Sequence, residues 1–299
     1  MANPPLTHNI DPVALSLFGF DVYWYSLMYL VAFGLFWWLG SIRAKKSDSP
    51  LKQADVSDLL FWGVIAVIAG GRLGYVLFYV PGEWLANPLM VLNIRDGGMS
   101  FHGGLLGVIT MMWLYARHLG IGFFRLADFV APLVPTGLAA GRVGNFIGGE
   151  LWGRPTDLPW GVVFPAAGDE ISRHPSQLYQ AGLEGLALFA LLWWYSSRAR
   201  PTGAVAGFFL IGYGVFRFIA ESFREPDAHL GFVAFDWLTQ GQLLSLPMIA
   251  FGVVLFMMAK RGYFAEHQPS KQSAPNQSQS ANDNRSAAAR KKTKRNKKK

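Results

Sequence analysis

Apolar residues in this chain come in windows of about 20 positions that are nearly free of charge, at 20–40, 57–80, 99–116, 176–197, 203–222 and 240–259. Each is long enough to cross a hydrocarbon core of about 30 Å as a helix. A seventh window, 124–145, has the same character but is interrupted by Pro132, Pro135 and several glycines. The pattern predicts an all-α polytopic membrane protein with seven transmembrane helices.

Composition agrees with that prediction. The 299 residues are 52% hydrophobic and 15% charged, with a mean hydropathy of +0.24; a soluble domain carries about 25% charge. The basic residues then test the count. Arg43, Lys45, Lys46, Lys52, Arg117, Arg125, Arg198, Arg200 and twelve Lys or Arg from Lys260 onward fall on one side of the alternating spans. Only Arg95, Arg154, Arg173 and Arg224 fall on the other. The positive-inside rule places the N-terminus outside and the C-terminus in the cytoplasm, an alternation that an even number of spans would spoil. The chain divides into an external N-terminal segment (1–19), a seven-span domain (20–259) and a basic cytoplasmic tail (260–299). The first span lacks a basic n-region and a small-residue cleavage site, so it reads as a retained span.

The formal net charge of +8 belongs to the tail. Its composition predicts disorder, and its charge suits attraction to the anionic inner leaflet or enforcement of topology rather than nucleic acid. The chain contains no cysteine. Structural disulfides, Cys-ligated metals and enzyme thioesters are thereby excluded. No H-E-x-x-H is present and Ser100 is not in a G-x-S-x-G elbow. Neither a metal nor a cofactor is expected.

Ionisable residues within spans are costly and mark function by default. The predicted topology puts Tyr25, Arg72, His102, Arg142, Asn145, Glu150, His174, Gln177, Tyr179, Tyr213, Arg217 and Glu221 in the outer half, and leaves the inner half almost without such groups. Tyr213, Arg217 and Glu221 are spaced by four and share one helix face. Each has an ordinary structural reading: an i,i+4 ion pair for Arg217 and Glu221, snorkelling for Arg72, helix packing for His102 and the glycines, an aromatic belt for Tyr25. Their common depth points instead to one polar chamber open to the outer leaflet. Arginine forks match phosphate oxygens and stabilise a departing phosphate at low dielectric, and a phospholipid headgroup is the phosphate found at that depth. Histidine serves as a base near neutral pH. With no nucleophile in the chain, the nucleophile belongs to a second substrate. A transporter would instead show inverted repeats and midplane polar groups, and a metal-dependent phosphatidyltransferase would show clustered aspartates; neither pattern is found.

The stretch GRVGNFIGGELWG (141–153) resembles the signature of the prolipoprotein diacylglyceryl transferase family, G-R-x-G-N-F-x-N-x-E-x-x-G. HGGLLG (102–107), RHPSQLY (173–179), RFIAESFREPD (217–227) and GQLLSLPM (241–248) are similar to further family stretches in the same order. Gly148 departs from the pattern, standing at its second Asn. The resemblance implies an enzyme of the bacterial inner membrane, with a small external head at about 146–175. It would move the diacylglyceryl group of phosphatidylglycerol to the lipobox cysteine of a prolipoprotein signal peptide, releasing glycerol 1-phosphate. It also implies roles for Tyr25, His102, Arg142, Asn145, Glu150, Gly153 and Arg217. On this reading Arg142 and Arg217 hold the phosphate and His102 assists deprotonation of the thiol. Asn145 positions the headgroup, and Glu150 orients Arg142 or binds headgroup hydroxyls. Arg72, Gly103, Gly104 and Glu221 complete the expected substrate-binding set.

Overall fold

The computed structural model describes residues 6–94, 97–226, 231–235 and 237–265. The basic tail beyond 265, Arg95 and Asp227 lie outside the described residues. The chain opens with short strands β1 (Leu6–Thr7), β2 (Val13–Leu17) and β3 (Phe20–Tyr23), the last two forming an antiparallel hairpin. Phe18 and Gly19 take positive φ at its tip (53° and 84°). The hairpin claims the first residues of the expected window 20–40, so helix α1 begins only at Trp24 and runs to Ala44.

Next come α2 (Gln53–Phe78), the short α3 (Pro81–Ala86), a 3-10 turn at Pro88–Leu92, and α4 (Phe101–His118). The proline-broken window becomes α5 (Phe123–Val130) and α6 (Val134–Ile147). Pro135 starts α6, where a missing N–H costs nothing. Strands β4 (Val162–Val163) and β5 (Ser172–Arg173) then join β1 in a small sheet of order β1-β4-β5. The fifth window is helical from 176 to 195 but not uniform: α7 (Ser176–Gln180) passes into a π-helical segment (Ala181–Ala187) and then α8 (Leu188–Tyr195). Helices α9 (Ala204–Glu221) and α10 (Gln240–Lys260) complete the body.

Four of these helices, α1, α2, α9 and α10, are long and apolar enough to cross a membrane, and α4 with α5, bent by 119°, would make a fifth. At 1.5 Å per residue, the 26 residues of α2 extend about 39 Å. Many of their large apolar side chains face outward, including Leu30, Phe61, Trp62, Leu106 and Phe251. That is the surface expected of a polytopic membrane protein, whose solvent is lipid.

Glycine sets how closely the helices approach. A methyl group at Gly103 of α4 would run into the Gly70 carbonyl of α2 and stand 2.8 Å from the Gly74 Cα, and one at Gly107 would strike the Ala66 carbonyl. Gly207 and Gly252 play the same part between α9 and α10. Gly103 and Gly104, expected to line a substrate site, are thus buried where α4 packs on α2, because two backbones in contact leave no space for a ligand.

The main apolar cluster joins the C-terminal ends of α1 and α4 with the start of α2 and with α5: Leu39, Val56, Leu59, Met112, Leu126, Phe129 and Leu133 pack together there. Close by, the Asp128 carboxylate of α5 accepts hydrogen bonds from the backbone N–H groups of Gly203 (2.6 Å) and Ala206 (2.8 Å). An acid from one helix thereby caps the N-terminus of another, α9. Gly203 supplies the left-handed cap residue, with φ of 89°.

Two outcomes follow from these contacts. Gly103→Ala should lower the thermal midpoint of the detergent-solubilised protein by several degrees, whereas Gly104→Ala, whose added carbon would meet nothing nearer than 3.5 Å, should unfold with the wild type. Asp128→Ala should cost about 1–2 kcal/mol, the usual value of a lost N-cap, measured by denaturant unfolding.

Candidate active site

Helix α6 carries Arg142 and Asn145 three residues apart, and the chain beyond it doubles back. Gly148 ends the helix in an ordinary right-handed conformation, with its N–H on the Gly144 carbonyl (2.9 Å). Gly149 has φ of 65°, a conformation that favours glycine. The turn returns the Glu150 N–H to the Asn145 carbonyl (3.1 Å) and its side chain to the same residue: Asn145 Nδ2 donates to Glu150 Oε1 at 2.8 Å. Arg142 Nη1 reaches Asn145 Oδ1 over 3.5 Å, the one hydrogen bond of that guanidinium among the described residues. At 3.5 Å it is weak. Gln177 of α7 then donates to the Glu150 carbonyl (2.7 Å) and Ser176 to that of Leu151 (3.1 Å).

Tyr25, at the start of α1, lies against this corner. A methyl group on Gly144 would stand 2.9 Å from its ring, and its hydroxyl pairs with that of Tyr29 (3.3 Å).

Charge accumulates on the neighbouring helices. Arg217 of α9 sits between two buried carboxylates, with Nη2 2.7 Å from Glu221 Oε2 and Nη1 3.5 Å from Glu184 Oε1 in the π-helical segment. Arg224 Nη1 donates to the other oxygen of Glu221 (3.2 Å). Glu221 also faces the first turn of α10: a methyl at Gly241 would touch its carboxylate at 2.7 Å, so only glycine lets the positive helix end approach the acid. Arg142 is within electrostatic reach of Glu184, Arg217, Tyr213 and Arg224. Three guanidinium groups, two buried carboxylates and a phenol therefore form one electrostatic cluster. Guanidinium groups gathered in this way have the chemistry to receive a phosphate.

A family model described as prolipoprotein diacylglyceryl transferase matches residues 12–258. The chain belongs to this family. Proteins named phosphatidylglycerol–prolipoprotein diacylglyceryl transferase are similar to it over most of their length. That of Bordetella avium strain 197N is 56% identical over 254 residues, covering 85% of this chain and 96% of the relative. That of Azotobacter vinelandii is 56% identical over 253 residues, with the same coverage. That of Methylibium petroleiphilum is 57% identical over 258 residues, covering 85% and 97%.

Against the residues singled out in the sequence, the structure gathers Tyr25, Arg142, Asn145, Glu150, Arg217 and Glu221. It does not gather all of them. Arg72 is buried elsewhere, with its guanidinium bound to the carbonyls of Met90 and Gly97 (2.6 Å each), Gly98 (3.2 Å) and Val91 (3.3 Å). It holds the turn between α3 and α4 and has no donor directed at the cluster. His102 is exposed near the start of α4, its ring edge against Phe101, and touches neither Arg142 nor Arg217. Gly153 is a crossing point: its N–H binds the His174 carbonyl (2.9 Å), and a side chain there would strike the carbonyls of both His174 and Phe223. Its smallness lets the 150–155 segment lie between those two segments. In the sheet of the 146–175 loop, Arg173 bonds to Asp169 (2.7 Å), which holds that carboxyl below the usual carboxylate range, and reaches Glu225 (3.4 Å).

Glu184 is the residue that sequence reading passed over. It is a lone acid in the apolar window 176–197, and an isolated ionisable residue inside a span is itself the signal. Gly148, the departure from the family pattern, is open. A methyl there would find only ordinary contacts, including one 3.8 Å from Glu150 Cγ.

Removing Glu221 takes from Arg217 the nearer of its two carboxylates and from Arg224 the acceptor of its Nη1. Glu221→Leu should destabilise the protein by about 3–5 kcal/mol, the usual cost of deleting one member of a buried ion pair. A loss below 1 kcal/mol in denaturant unfolding would show the arginines to be hydrated or paired elsewhere.

Proposed function

We propose that this chain transfers the diacylglyceryl group of phosphatidylglycerol to the thiol of the lipobox cysteine in a prolipoprotein signal peptide, releasing glycerol 1-phosphate. The observation that carries the proposal is the clustering of Arg142 within electrostatic reach of Arg217 and Arg224, with its own hydrogen bond a weak one. Arg142 is the guanidinium best placed to take the phosphate. Arg217, already between two carboxylates, supplies fixed positive potential.

In the reaction the substrate thiolate attacks the glycerol carbon that bears the phosphate ester. The sulfur–carbon bond forms as the carbon–oxygen bond breaks, and the phosphate leaves with one more negative charge than it carried as a diester. That developing charge is what preorganised guanidinium groups stabilise. A free thiol has a pKa of about 8.5, so a base assists its ionisation. His102 is assigned that role; its exposure leaves it accessible to a peptide arriving from the membrane. Asn145, held by Glu150, positions the headgroup beside Arg142. Glu150 acts on Arg142 only through Asn145.

The membrane arrangement that suits this chemistry has seven spans, with α5–α6 as a broken fourth and the run from α7 through α8 as the fifth. The N-terminus lies outside and the C-terminus in the cytoplasm. The 146–175 loop is an external head, and the pocket opens to the outer leaflet of the bacterial inner membrane.

Purified protein mixed with phosphatidylglycerol and a lipobox peptide should add the mass of one diacylglyceryl group to the peptide, and a Cys→Ser peptide should stay unmodified. Arg142→Ala should lower the rate at least about 100-fold, the usual loss when a charge-stabilising donor is removed; a rate within threefold of wild type would refute its role. His102→Gln should lower the rate at neutral pH by about 100-fold or more and recover as pH rises toward the thiol pKa. An unchanged rate at neutral pH would remove His102 as the base.

A further inference from the structure

The helix formed by α7 and the π-helical segment buries polar atoms whose hydrogen bonds the proposed phosphate chemistry leaves unmade. Glu184 is 0% exposed, and neither of its carboxylate oxygens has a hydrogen bond; it is compensated only at a distance, by the charges of Arg217, 3.5 Å away, and of Arg142. Gln180, four residues earlier and 1% exposed, has an Nε2 with no acceptor. Gln177 is fully buried too, and its Oε1 has no donor although its Nε2 is bonded. A buried polar group without a partner costs about 1–3 kcal/mol, so such groups on one short stretch call for something to meet them. The π-helical geometry at this point is itself a mark of functional sites.

The chemistry of the missing partner is restricted. Glu184 and Gln177 want donors, while Gln180 wants an acceptor. A phosphate only accepts, and Glu184 would repel it. An ammonium only donates, and Arg142, Arg217 and Arg224 would oppose it. A hydroxyl both donates and accepts. We propose that Gln180 and Glu184, with Gln177 beside them, form a subsite for the free hydroxyls of the headgroup glycerol, so that this helix selects a polyol phospholipid while the arginines hold the phosphate. The inference rests on the transfer reaction proposed above and names the groups that choose its lipid.

The test uses the full chain in detergent and two soluble phosphates as inhibitors of peptide modification. Glycerol 1-phosphate carries the hydroxyls; propyl phosphate has the same length without them. Wild type should be inhibited at least tenfold more strongly by glycerol 1-phosphate, since a site built for hydroxyls rejects an analogue that lacks them. Gln180→Met, which conserves volume, should bring the two inhibition constants within about threefold by weakening glycerol 1-phosphate alone, and should raise the KM for phosphatidylglycerol. Glu184→Gln, which keeps shape but loses charge beside Arg217, should also reduce the preference. Equal inhibition of wild type by the two phosphates would overturn the proposal and leave these atoms to water, as would an undiminished preference in Gln180→Met. Absence of any transfer by wild type would sink the reaction itself, a separate result.

Discussion

The structure depends on carboxylates and guanidinium groups that share a low-dielectric interior. Glu184 and Glu221 are shut off from solvent, and Arg217 stands between them. Each such charge costs several kcal/mol to desolvate, and a buried ion pair returns about what it costs. Against apolar packing, then, the cluster brings little net stability. What it provides is orientation. A guanidinium between two acids is held in orientation, so its positive potential is fixed in advance, which is the arrangement the proposed transfer reaction needs. The same grip makes the helices interdependent, because the acids come from two of them and Arg224 from the turn beyond α9.

That arrangement requires helices to approach more closely than most side chains allow. Gly144 lets the Tyr25 ring reach the α6 corner, and Gly241 lets the start of α10 meet Glu221. Gly185, whose methyl would lie 2.5 Å from the Ala139 Cβ, seats the π-helical segment against α6. Gly103 against Gly70 and Gly74 gives α4 and α2 the same intimacy away from the charges. In lipid, where no hydrophobic effect drives helices together, such backbone contact is a main source of association. Glycine in this chain belongs largely to architecture, and the site inherits its geometry from it.

Polarity is also divided by location. The ionic cluster gathers where α6, α9 and the start of α10 meet, whereas the largest apolar core lies where α1, α2, α4 and α5 join. Even the charges near that core, Arg43 and Asp128, are committed to structure: Arg43 donates to Ser196 (2.7 Å) and Asp128 caps α9. Apolar packing anchors one region while the other stays polar.

Sequence alone determined the helical, membrane-embedded character of the chain, since charge-free windows of some 20 residues have few other solutions. It also singled out Arg142, Asn145, Arg217 and Glu221, because a charge or amide inside such a window is costly, and Glu150 by its place in the family-like stretch; the structure brings these five together. It did not separate the arginine that braces a turn, Arg72, from those in the pocket, since both are lone cations in an apolar span and only their partners differ. Nor did it distinguish glycines that would admit a ligand from Gly103 and Gly153, which admit backbone. The hairpin before α1, the π-helical turn at Glu184 and the unmet atoms of Gln177 and Gln180 came from tertiary structure. Local composition states what a residue is, but whether its hydrogen bonds are satisfied depends on segments that meet it from elsewhere in the chain.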